Sequence, residues 1–329
     1  MKHSMASVGT RDATKPGEPQ AALSRPEKRT TLGLYIWRRR YLYLMLLPGI
    51  VYYLLFHYLP MYGIVIAFKD FSFRRGILGS EWIGLENFRY LFQLRDFYRV
   101  LWNSVYLNFL RLVFGFPAPI LLALMINEIN SLRVKRTLQT VIYLPHFLSW
   151  VILGGIMVNF LSPSWGVINL GLRNLGLEPI FFMGREDYFR PLIVVSSIWK
   201  EAGWGTIIYF AAISSVNPEL YEAAIIDGAN KFQRILHVTV PAIMPTVMML
   251  LILRLGNMMN NGFEQVLVLQ NAANMDVSQV FETYVYRIGL LSGRYSFGAA
   301  VGMFTSVVNL GFLMGANHLA KKTTGAGIW

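Results

Sequence analysis

The sequence predicts an all-α polytopic membrane protein with six transmembrane helices. Hydrophobic residues make up 54% of the 329 residues, and the mean hydropathy of +0.43 is typical of a chain that lies largely in lipid. About 20 consecutive apolar residues cross a bilayer core. The chain contains six apolar runs of sufficient length, over residues 42–68, 101–126, 138–161, 191–215, 242–268 and 297–319.

The distribution of Lys and Arg predicts the orientation of these spans, because cytoplasmic segments are enriched in both. Sixteen of the 30 lie before the first span, in the second-to-third and fourth-to-fifth connections, and after the sixth span; eleven lie in the other loops. We therefore expect both termini in the cytoplasm. The formal charge of +12 fits contact with anionic membrane lipid, and the scatter of basic residues argues against a nucleic-acid partner.

Three segments follow along the chain. Residues 1–33 are polar and contain Pro16, Pro19 and Pro26, which predicts a disordered cytoplasmic tail. Residues 34–320 form the six-span domain, and residues 321–329 form a second cytoplasmic tail. The absence of cysteine excludes disulfides and thiol chemistry.

The loop between the fourth and fifth spans carries the signals of a helix, a turn and a second helix. Asn217 can cap a helix that begins at Pro218. Gly228 can adopt a positive φ and turn the chain. Phe232 begins a second apolar face, and Pro241 is expected to end that second helix. A short helical hairpin in a cytoplasmic loop offers a docking surface to another protein.

The amino-acid sequence of this cytoplasmic loop resembles a known motif. Its matching residues are Glu222, Ala223, Ala224, Gly228 and Pro241, with Asp227 before the glycine. In this arrangement they resemble the EAA loop of binding-protein-dependent ABC importer permeases, which seats in the ATPase subunit. Val238 and Val240 stand where that motif has Ile and Leu. The resemblance implies that residues 217–241 couple the chain to an ATPase; a chance amphipathic loop is the alternative.

The resemblance extends over residues 34–320 and implies a type I ABC importer permease fold. Residues 84–88 (Gly-Leu-Glu-Asn-Phe) and the pair Leu144-Pro145 are similar to segments of maltose-type sugar-importer permeases. Residues 260–265 and 283–289 resemble a subgroup that handles complex oligosaccharides and includes the alginate importer. The motifs do not identify the sugar.

The resemblance also implies the partners of the chain. They are a second homologous permease, two ATPase subunits and an external sugar-binding protein, in the cytoplasmic (inner) membrane. No Gly-x-x-x-x-Gly-Lys-Ser/Thr motif occurs in the sequence. ATP and Mg²⁺ are therefore expected in the partner ATPase, and we expect no catalytic residue, metal or bound cofactor in this chain.

Arg254 is the first candidate for substrate binding, because it lies twelve residues into the predicted fifth span. A guanidinium near mid-membrane costs roughly 3 kcal/mol on insertion scales and needs a partner, water or an anionic ligand. Asn257, Met258 and Asn261 follow at helical spacing. In maltose-type permeases this region contributes to the sugar site, so the resemblance implies an oligosaccharide substrate, and Arg254 suggests an acidic one such as alginate. A structural pair of Arg254 with Glu264, Glu201 or a backbone carbonyl is the alternative.

The fourth span adds Trp199, Glu201 and Trp204, which align with sugar-site positions of maltose-type permeases. Aromatic faces suit the C–H surfaces of sugars. Glu201 replaces a small residue in that alignment. The tryptophans could instead form an interfacial belt, and Glu201 could pair with Lys200. Arg111, His57 and His146 are interpreted as packing or subunit-contact residues.

Two other function classes remain as alternatives. A secondary transporter driven by an ion gradient would favour carboxylate or histidine relays and an internal repeat, and neither is evident. An integral membrane enzyme would need a catalytic motif such as His-Glu-x-x-His or Gly-x-Ser-x-Gly, and the sequence has neither.

Overall fold

The computed structural model describes residue 37, residues 39–324 and residue 327. The predicted tail 1–33 lies outside the described residues, as do residues 325, 326, 328 and 329 of the predicted tail 321–329. The chain divides into two compact units at the Pro60–Met61 bond. In the first unit, helix α1 (Arg40–Tyr53) continues into a π-helical turn over Leu54–Tyr58. Every residue of α1 is exposed in the isolated chain, as expected for side chains that face lipid or another subunit.

The second unit is almost entirely helical. A short helix α2 (Leu59–Met61) stands at the boundary, and the only strands within the described residues, β1 (Lys69–Asp70) and β2 (Glu81–Trp82), form an antiparallel pair. The helices of this unit are α3 (Gly76–Gly79), α4 (Glu86–Gln93), α5 (Arg95–Leu110), α6 (Pro117–Asn127), α7 (Leu132–Tyr143), α8 (Trp150–Phe160), α9 (Val167–Asn174), α10 (Glu186–Ser214), α11 (Pro218–Ile226), α12 (Lys231–Arg234), α13 (Val240–Leu255), α14 (Phe263–Leu269), α15 (Met275–Ser278), α16 (Phe281–Tyr284) and α17 (Tyr295–Thr324).

Four helical segments in the described part of the chain are long and apolar enough to cross a membrane: Arg40–Phe68, Arg95–Asn127, Lys231–Leu255 and Tyr295–Lys322. Helix α10 is long enough, with 29 residues, but Lys200 and Glu201 at its centre lower its mean hydropathy. It is therefore not among the helices that are apolar enough to cross a membrane by the same criterion. The last segment overlaps the start of the predicted C-terminal tail, because α17 continues to Thr324.

The third predicted span, 138–161, is broken. Leu132–Phe147 and Trp150–Phe160 pass the test only as a pair, bent by 98°. Pro145 sits in a 3₁₀ turn over Leu144–Phe147, and Ser149 caps the next helix by accepting from the Ile152 amide at 3.3 Å. The apolar run was continuous in sequence, but the proline and the new cap divide it.

The fifth span differs from its predicted range of 242–268. It runs from Lys231 to Leu255, so the prediction that Pro241 ends a helix was wrong. A π-helical turn over Ile235–Thr239 precedes Pro241 and changes the backbone pairing there, so the helix tolerates a proline that has no N–H to donate. The span then stops at Leu255, and Gly262 turns the chain at a φ of 71° before α14 begins.

Three apolar clusters hold the second unit together. One joins α6, α10 and α13 through Ala123, Tyr209, Ile213 and Ile243. The other two pack α4 and α5 against α16 and α17, and α5 against α10 and α14. Burial of these side chains fixes the positions of α5, α10 and α13. The charged residues described next lie on α10, on α13 and in the π-helical turn that follows α5.

Candidate functional site

Two regions of the second unit are candidates for function. One is the loop 217–241, here called the coupling loop. The other is a cavity between α6, α10, α13, α14 and the π-helical turn Arg111–Gly115, which follows α5. The coupling loop is built by local rules. The Asn217 side chain accepts from the Glu219 amide at 3.1 Å, and Pro218 occupies the first helical turn, as predicted from sequence.

The end of α11 is a Schellman motif. The amide of Ala229 donates to the Ala224 carbonyl at 2.9 Å, and the amide of Gly228 donates to the Ile225 carbonyl at 3.0 Å. Gly228 has a φ of 79°, which confirms the predicted turn. Asn230 and Gln233 then form a reciprocal capping box at 2.8 and 2.9 Å that starts α12. The hairpin is therefore fixed by its own backbone chemistry.

The surface of the coupling loop is partly apolar. Ile226 is 85% exposed and Phe232 is 67% exposed, while Glu222, Ala223 and Asp227 are also exposed. A cavity of about 250 Å³ lies in the angle of the hairpin, and its wall includes Ala224, Asp227, Gly228, Gln233, Arg234 and His237. Exposed large apolar groups around a concave surface are typical of a protein-binding site.

The second region is a cavity of about 320 Å³, here called the arginine cavity, whose wall includes Arg111, Arg254, Glu201, Trp150, Asn260 and Gln265. Arg254 lies in the last turn of α13 and not in the middle of a longer helix, because the helix ends at Leu255. Its guanidinium makes no hydrogen bond or ion pair within the described residues, although it lies within the electrostatic influence of Glu201. The alternative partners named from sequence, Glu264 and Glu201, do not pair with it here.

Arg111 is 6% exposed and bonds to neutral groups. Its guanidinium donates to the Asn261 carbonyl and to the Gln265 side-chain oxygen, both at 2.5 Å. Gln265 in turn donates to the Ile193 carbonyl at 2.8 Å and to Ser196 at 2.9 Å. This network ties the π-helical turn that follows α5 to α10 and α14, and it presents a buried positive charge at the wall of the cavity.

Asn261 belongs to the same network. It is fully buried, its side-chain oxygen accepts from Asn108 at 2.8 Å, and its backbone amide donates to Glu282 at 2.8 Å. Burial raises the pKa of the Glu282 carboxyl above its ordinary value, an effect opposed by the Asn261 amide and the Arg111 charge. Asn261 therefore has structural partners for the groups that sequence reasoning assigned to a sugar.

The other predicted substrate residues lie outside the wall of the arginine cavity. The side-chain amide of Asn257 donates to the Leu253 carbonyl at 3.0 Å. Met258 is buried, and Trp199 is exposed. Trp204 stacks on the ring of His146, with centroids 4.6 Å apart and planes 3° apart. Substrate contact by these four residues stays a prediction, whereas Arg254 and Glu201 do share one cavity.

Glu201 and Lys200 both contact the bend between α7 and α8. One carboxylate oxygen of Glu201 lies 3.0 Å from His146 Nδ1. The other carboxylate oxygen is 4.0 Å from the Lys200 ammonium. Lys200 is 6% exposed and donates to the carbonyls of His146 at 2.6 Å and Leu148 at 2.7 Å. His146 thus has the packing role expected of it, in a set of contacts that the sequence did not reveal. His57 lies in the first unit, where its ring is 4.8 Å from that of Tyr53.

Sequence reasoning missed Trp150, Asn260 and Gln265 as cavity residues and assigned Arg111 to packing or subunit contact. One signal was present for Arg111, since a charge inside the apolar run 101–126 marks a functional or buried polar site. No signal pointed to Trp150, which reaches the cavity only because the third span is bent.

Comparison with known proteins shows which family and which relatives the chain resembles. Residues 115–325 match the family model described as "Binding-protein-dependent transport system inner membrane component". The chain is 49% identical to protein LplB of Bacillus subtilis (strain 168), over 89% of this chain and 92% of that protein. It is 47% identical to the polygalacturonan/rhamnogalacturonan transport system permease protein YteP of the same organism, over 94% of this chain and 96% of that one.

Two solved structures are similar to the chain. One is a bacterial ABC transporter involved in the import of the acidic polysaccharide alginate, with a TM-score of 0.83 and 45% identity over 89% of this chain and 99% of the matched chain. The other is a bacterial alginate ABC transporter in complex with its alginate pentasaccharide-bound periplasmic protein, with a TM-score of 0.83 and 44% identity over 90% and 99%. These matches confirm the predicted all-α fold class.

Proposed function

Because the chain belongs to the family of binding-protein-dependent transport system inner membrane components, we propose that it forms half of a pathway for acidic oligosaccharides and is driven by a separate pair of ATPase subunits. Its homologues and structural match confirm the predicted function of a permease subunit of a sugar ABC importer. They give no support to the secondary-transporter alternative.

The coupling loop supports the proposal about energy. Its two helices are fixed by caps at Asn217 and Asn230 and by the turn at Gly228, and its exposed side is apolar around Ile226 and Phe232. A rigid hairpin can transmit a displacement of a bound protein to α13, because α12 continues without a break into the fifth span. ATP with Mg²⁺ would be bound by the docked ATPase, and its closure would move this hairpin.

The observation that carries the substrate class is the guanidinium of Arg254 at the wall of the arginine cavity, which has no hydrogen-bond or ion-pair partner among the described residues. A half-buried cation without a protein acceptor fits an anionic ligand. The relatives support the same class, since one is described as a polygalacturonan/rhamnogalacturonan permease and one structural match imports alginate. We place this chain with importers of uronic-acid oligosaccharides.

The remaining partners are a second homologous permease, which supplies the other half of the pathway, and an external binding protein. A matched alginate transporter is bound to a periplasmic protein. The importer would lie in the cytoplasmic membrane, with both termini and the coupling loop on the cytoplasmic side, as the Lys and Arg distribution suggests.

The test is reconstitution in proteoliposomes with the second permease, the ATPase and the binding protein. We expect uptake of a labelled uronic-acid oligosaccharide that requires ATP and stops when the second permease is omitted. Uptake that proceeds without ATP in an imposed ion gradient would overturn the proposal. Uptake by a complex that lacks any second permease would overturn the half-pathway part of it.

The orientation can be tested on the same chain, because it contains no cysteine. A Glu222→Cys variant should react with a membrane-impermeant maleimide only after the cells are permeabilised. A Trp165→Cys variant, in the loop 162–190 on the opposite side, should react in intact cells. The reverse pattern would show that the orientation is wrong.

A further inference from the structure

The charges that line the arginine cavity are unequal in number. Among the described residues of its wall, two carry guanidinium groups, Arg111 and Arg254, and one carries a carboxylate, Glu201. Arg111 has no carboxylate within ion-pair distance in the part of the chain that the structure describes, and neither has Arg254. The cavity therefore retains a positive charge in surroundings of low polarity, where charges act strongly on one another.

The carboxylate of Glu201 is held by His146 and not by either arginine of the cavity. One carboxylate oxygen is 3.0 Å from His146 Nδ1, which directs the group toward the bend and not into an ion pair with Arg254. The ring of His146 is itself fixed, because it stacks on Trp204 and because Lys200 holds its backbone carbonyl. The contact between Glu201 and His146 thus leaves Arg254 open to a ligand.

From this arrangement we infer that Glu201 is a specificity-determining residue, which limits how tightly the cavity holds a substrate carboxylate, and that His146 keeps it from occupying Arg254. The inference rests on the proposed function, since it concerns how an acidic oligosaccharide is handled in the same cavity. The resemblance to maltose-type permeases implies a small residue at this position, and the role proposed for Glu201 gives a reason for the difference.

The proposed role of Glu201 meets a physical requirement of transport, which is release of the substrate from the cavity. A translocation site must bind its substrate strongly enough to admit it and weakly enough to let it go. The Arg254 guanidinium can bind one uronate bidentately, and the buried charge of Arg111 nearby would add to the attraction and slow its departure. A carboxylate that lines the same cavity without neutralising Arg254 weakens the attraction by repulsion and leaves the hydrogen-bonding geometry unchanged.

The experiment measures binding of a radiolabelled trigalacturonate and of its methyl ester to the purified importer complex without binding protein. The ester has the same length and no charge. For the wild-type complex we expect a lower Kd for the acid than for the ester. Glu201→Gln should lower the Kd for the acid roughly tenfold, because it removes the repulsion between the Glu201 carboxylate and the substrate carboxylate. It should leave the Kd for the uncharged ester unchanged.

His146→Phe should act in the opposite direction. Phenylalanine keeps a ring against Trp204 but cannot hold Glu201, so Glu201 becomes free to pair with Arg254 and the Kd for the acid should rise. The double variant His146→Phe with Glu201→Gln should bind the acid as tightly as Glu201→Gln alone. Glu264→Gln is the matched control, because it removes an exposed carboxylate that does not line the cavity, and it should change neither Kd.

The outcomes separate the two proposals. If the wild-type complex binds the ester as tightly as the acid, or binds neither, the acidic-substrate proposal fails. If it prefers the acid but Glu201→Gln leaves that Kd unchanged or raises it, the inference about Glu201 alone is overturned. Equal shifts for both sugars, with a lowered melting temperature, would assign Glu201 and His146 to structure only.

Discussion

Gly203 of α10 lies directly against the backbone of Ile142 in α7. A Cβ placed on Gly203 would be 1.9 Å from the Ile142 carbonyl oxygen, a distance that only a shift of the backbone could relieve. The two helices therefore approach at a point where a side chain has no room. One turn of α10, from Lys200 to Trp204, contacts the region between Ile142 and Leu148 through Lys200, Glu201, Gly203 and Trp204.

Gly203→Ala should therefore destabilise the folded chain even though alanine favours a helix. Overpacking of this kind costs about 1–3 kcal/mol, and the displaced α7 should also loosen the contacts of Lys200 at the bend. The measurement is thermal unfolding of the purified permease in detergent. We expect a lower melting temperature and a smaller yield of assembled complex.

Gly155→Ala is the control for that experiment. Gly155 lies in α8, and a Cβ there would meet nothing within 4 Å. The substitution should leave the melting temperature unchanged or raise it slightly. If both variants melt alike, close approach of α7 and α10 at Gly203 is not what stabilises this part of the fold.

The parts of the structure that depend on local chemistry were predictable. The caps at Asn217 and Pro218 and the positive φ of Gly228 follow from preferences of single residues, and the structure has all three. The sequence was less informative about where the fifth span stops, because apolar residues continue through Phe263 to Leu269. The backbone turns at Gly262 before they begin, so they form the separate helix α14.

The cavity could not be predicted, because its contacts join distant parts of the chain. Arg111 bonds to Asn261, and Glu201 bonds to His146, across separations that no sequence period records. Trp150 reaches the wall only through the 98° bend of the third span. Arg254 was identified as a charge in an apolar run, but whether its guanidinium has a partner among the described residues depends on where the carboxylates of other helices point.

Substitutions in the coupling loop should release the ATPase and leave the permease inserted. Gly228→Val forces a β-branched residue into a φ of 79°, which strains the turn, and Glu222→Lys reverses an exposed charge on α11. We expect each variant to co-purify much less ATPase than wild type in a pull-down, at equal levels of permease in the membrane. Glu178→Lys, an equal charge reversal in the loop 162–190, should retain the ATPase. Full retention and normal transport with both loop variants would contradict the assignment.

Loss of the Arg111 side chain should destabilise the second unit. Arg111→Met leaves the Asn261 carbonyl and the Gln265 oxygen without their buried donor, and each unsatisfied group costs about 1–3 kcal/mol. Arg111→Lys should recover part of the stability, because one ammonium cannot span both acceptors with a rigid fork. Arg173→Met is a suitable comparison, since Arg173 donates to the Pro163 carbonyl at an exposed site. The check is the midpoint of unfolding in detergent, and equal midpoints for Arg111→Met and Arg173→Met would contradict the network.

Arg254 should affect substrate handling more than stability. Its guanidinium has no hydrogen bond or ion pair in the described part of the chain, so Arg254→Ala removes no protein contact of that kind. A charged hydrogen bond to a ligand is worth about 1.5–3 kcal/mol. Ligand-stimulated ATP hydrolysis with an acidic oligosaccharide should therefore fall about tenfold or more at subsaturating ligand, and Arg254→Lys should restore only part of it, because lysine lacks the bidentate fork.

A neutral oligosaccharide of the same length distinguishes the ligand role from a structural one. If Arg254 binds uronate carboxylates, Arg254→Ala should leave stimulation by the neutral sugar nearly unchanged, with a melting temperature close to that of wild type. If instead Arg254 supports the fold, for example through Glu201 at longer range, the variant should melt earlier and lose stimulation by both sugars alike. No ion pair joins Arg254 to Glu201 among the described residues, so Arg254→Ala breaks no such contact with α10. The ligand role therefore predicts a loss confined to the acidic sugar, and a parallel loss for the two sugars would reject it.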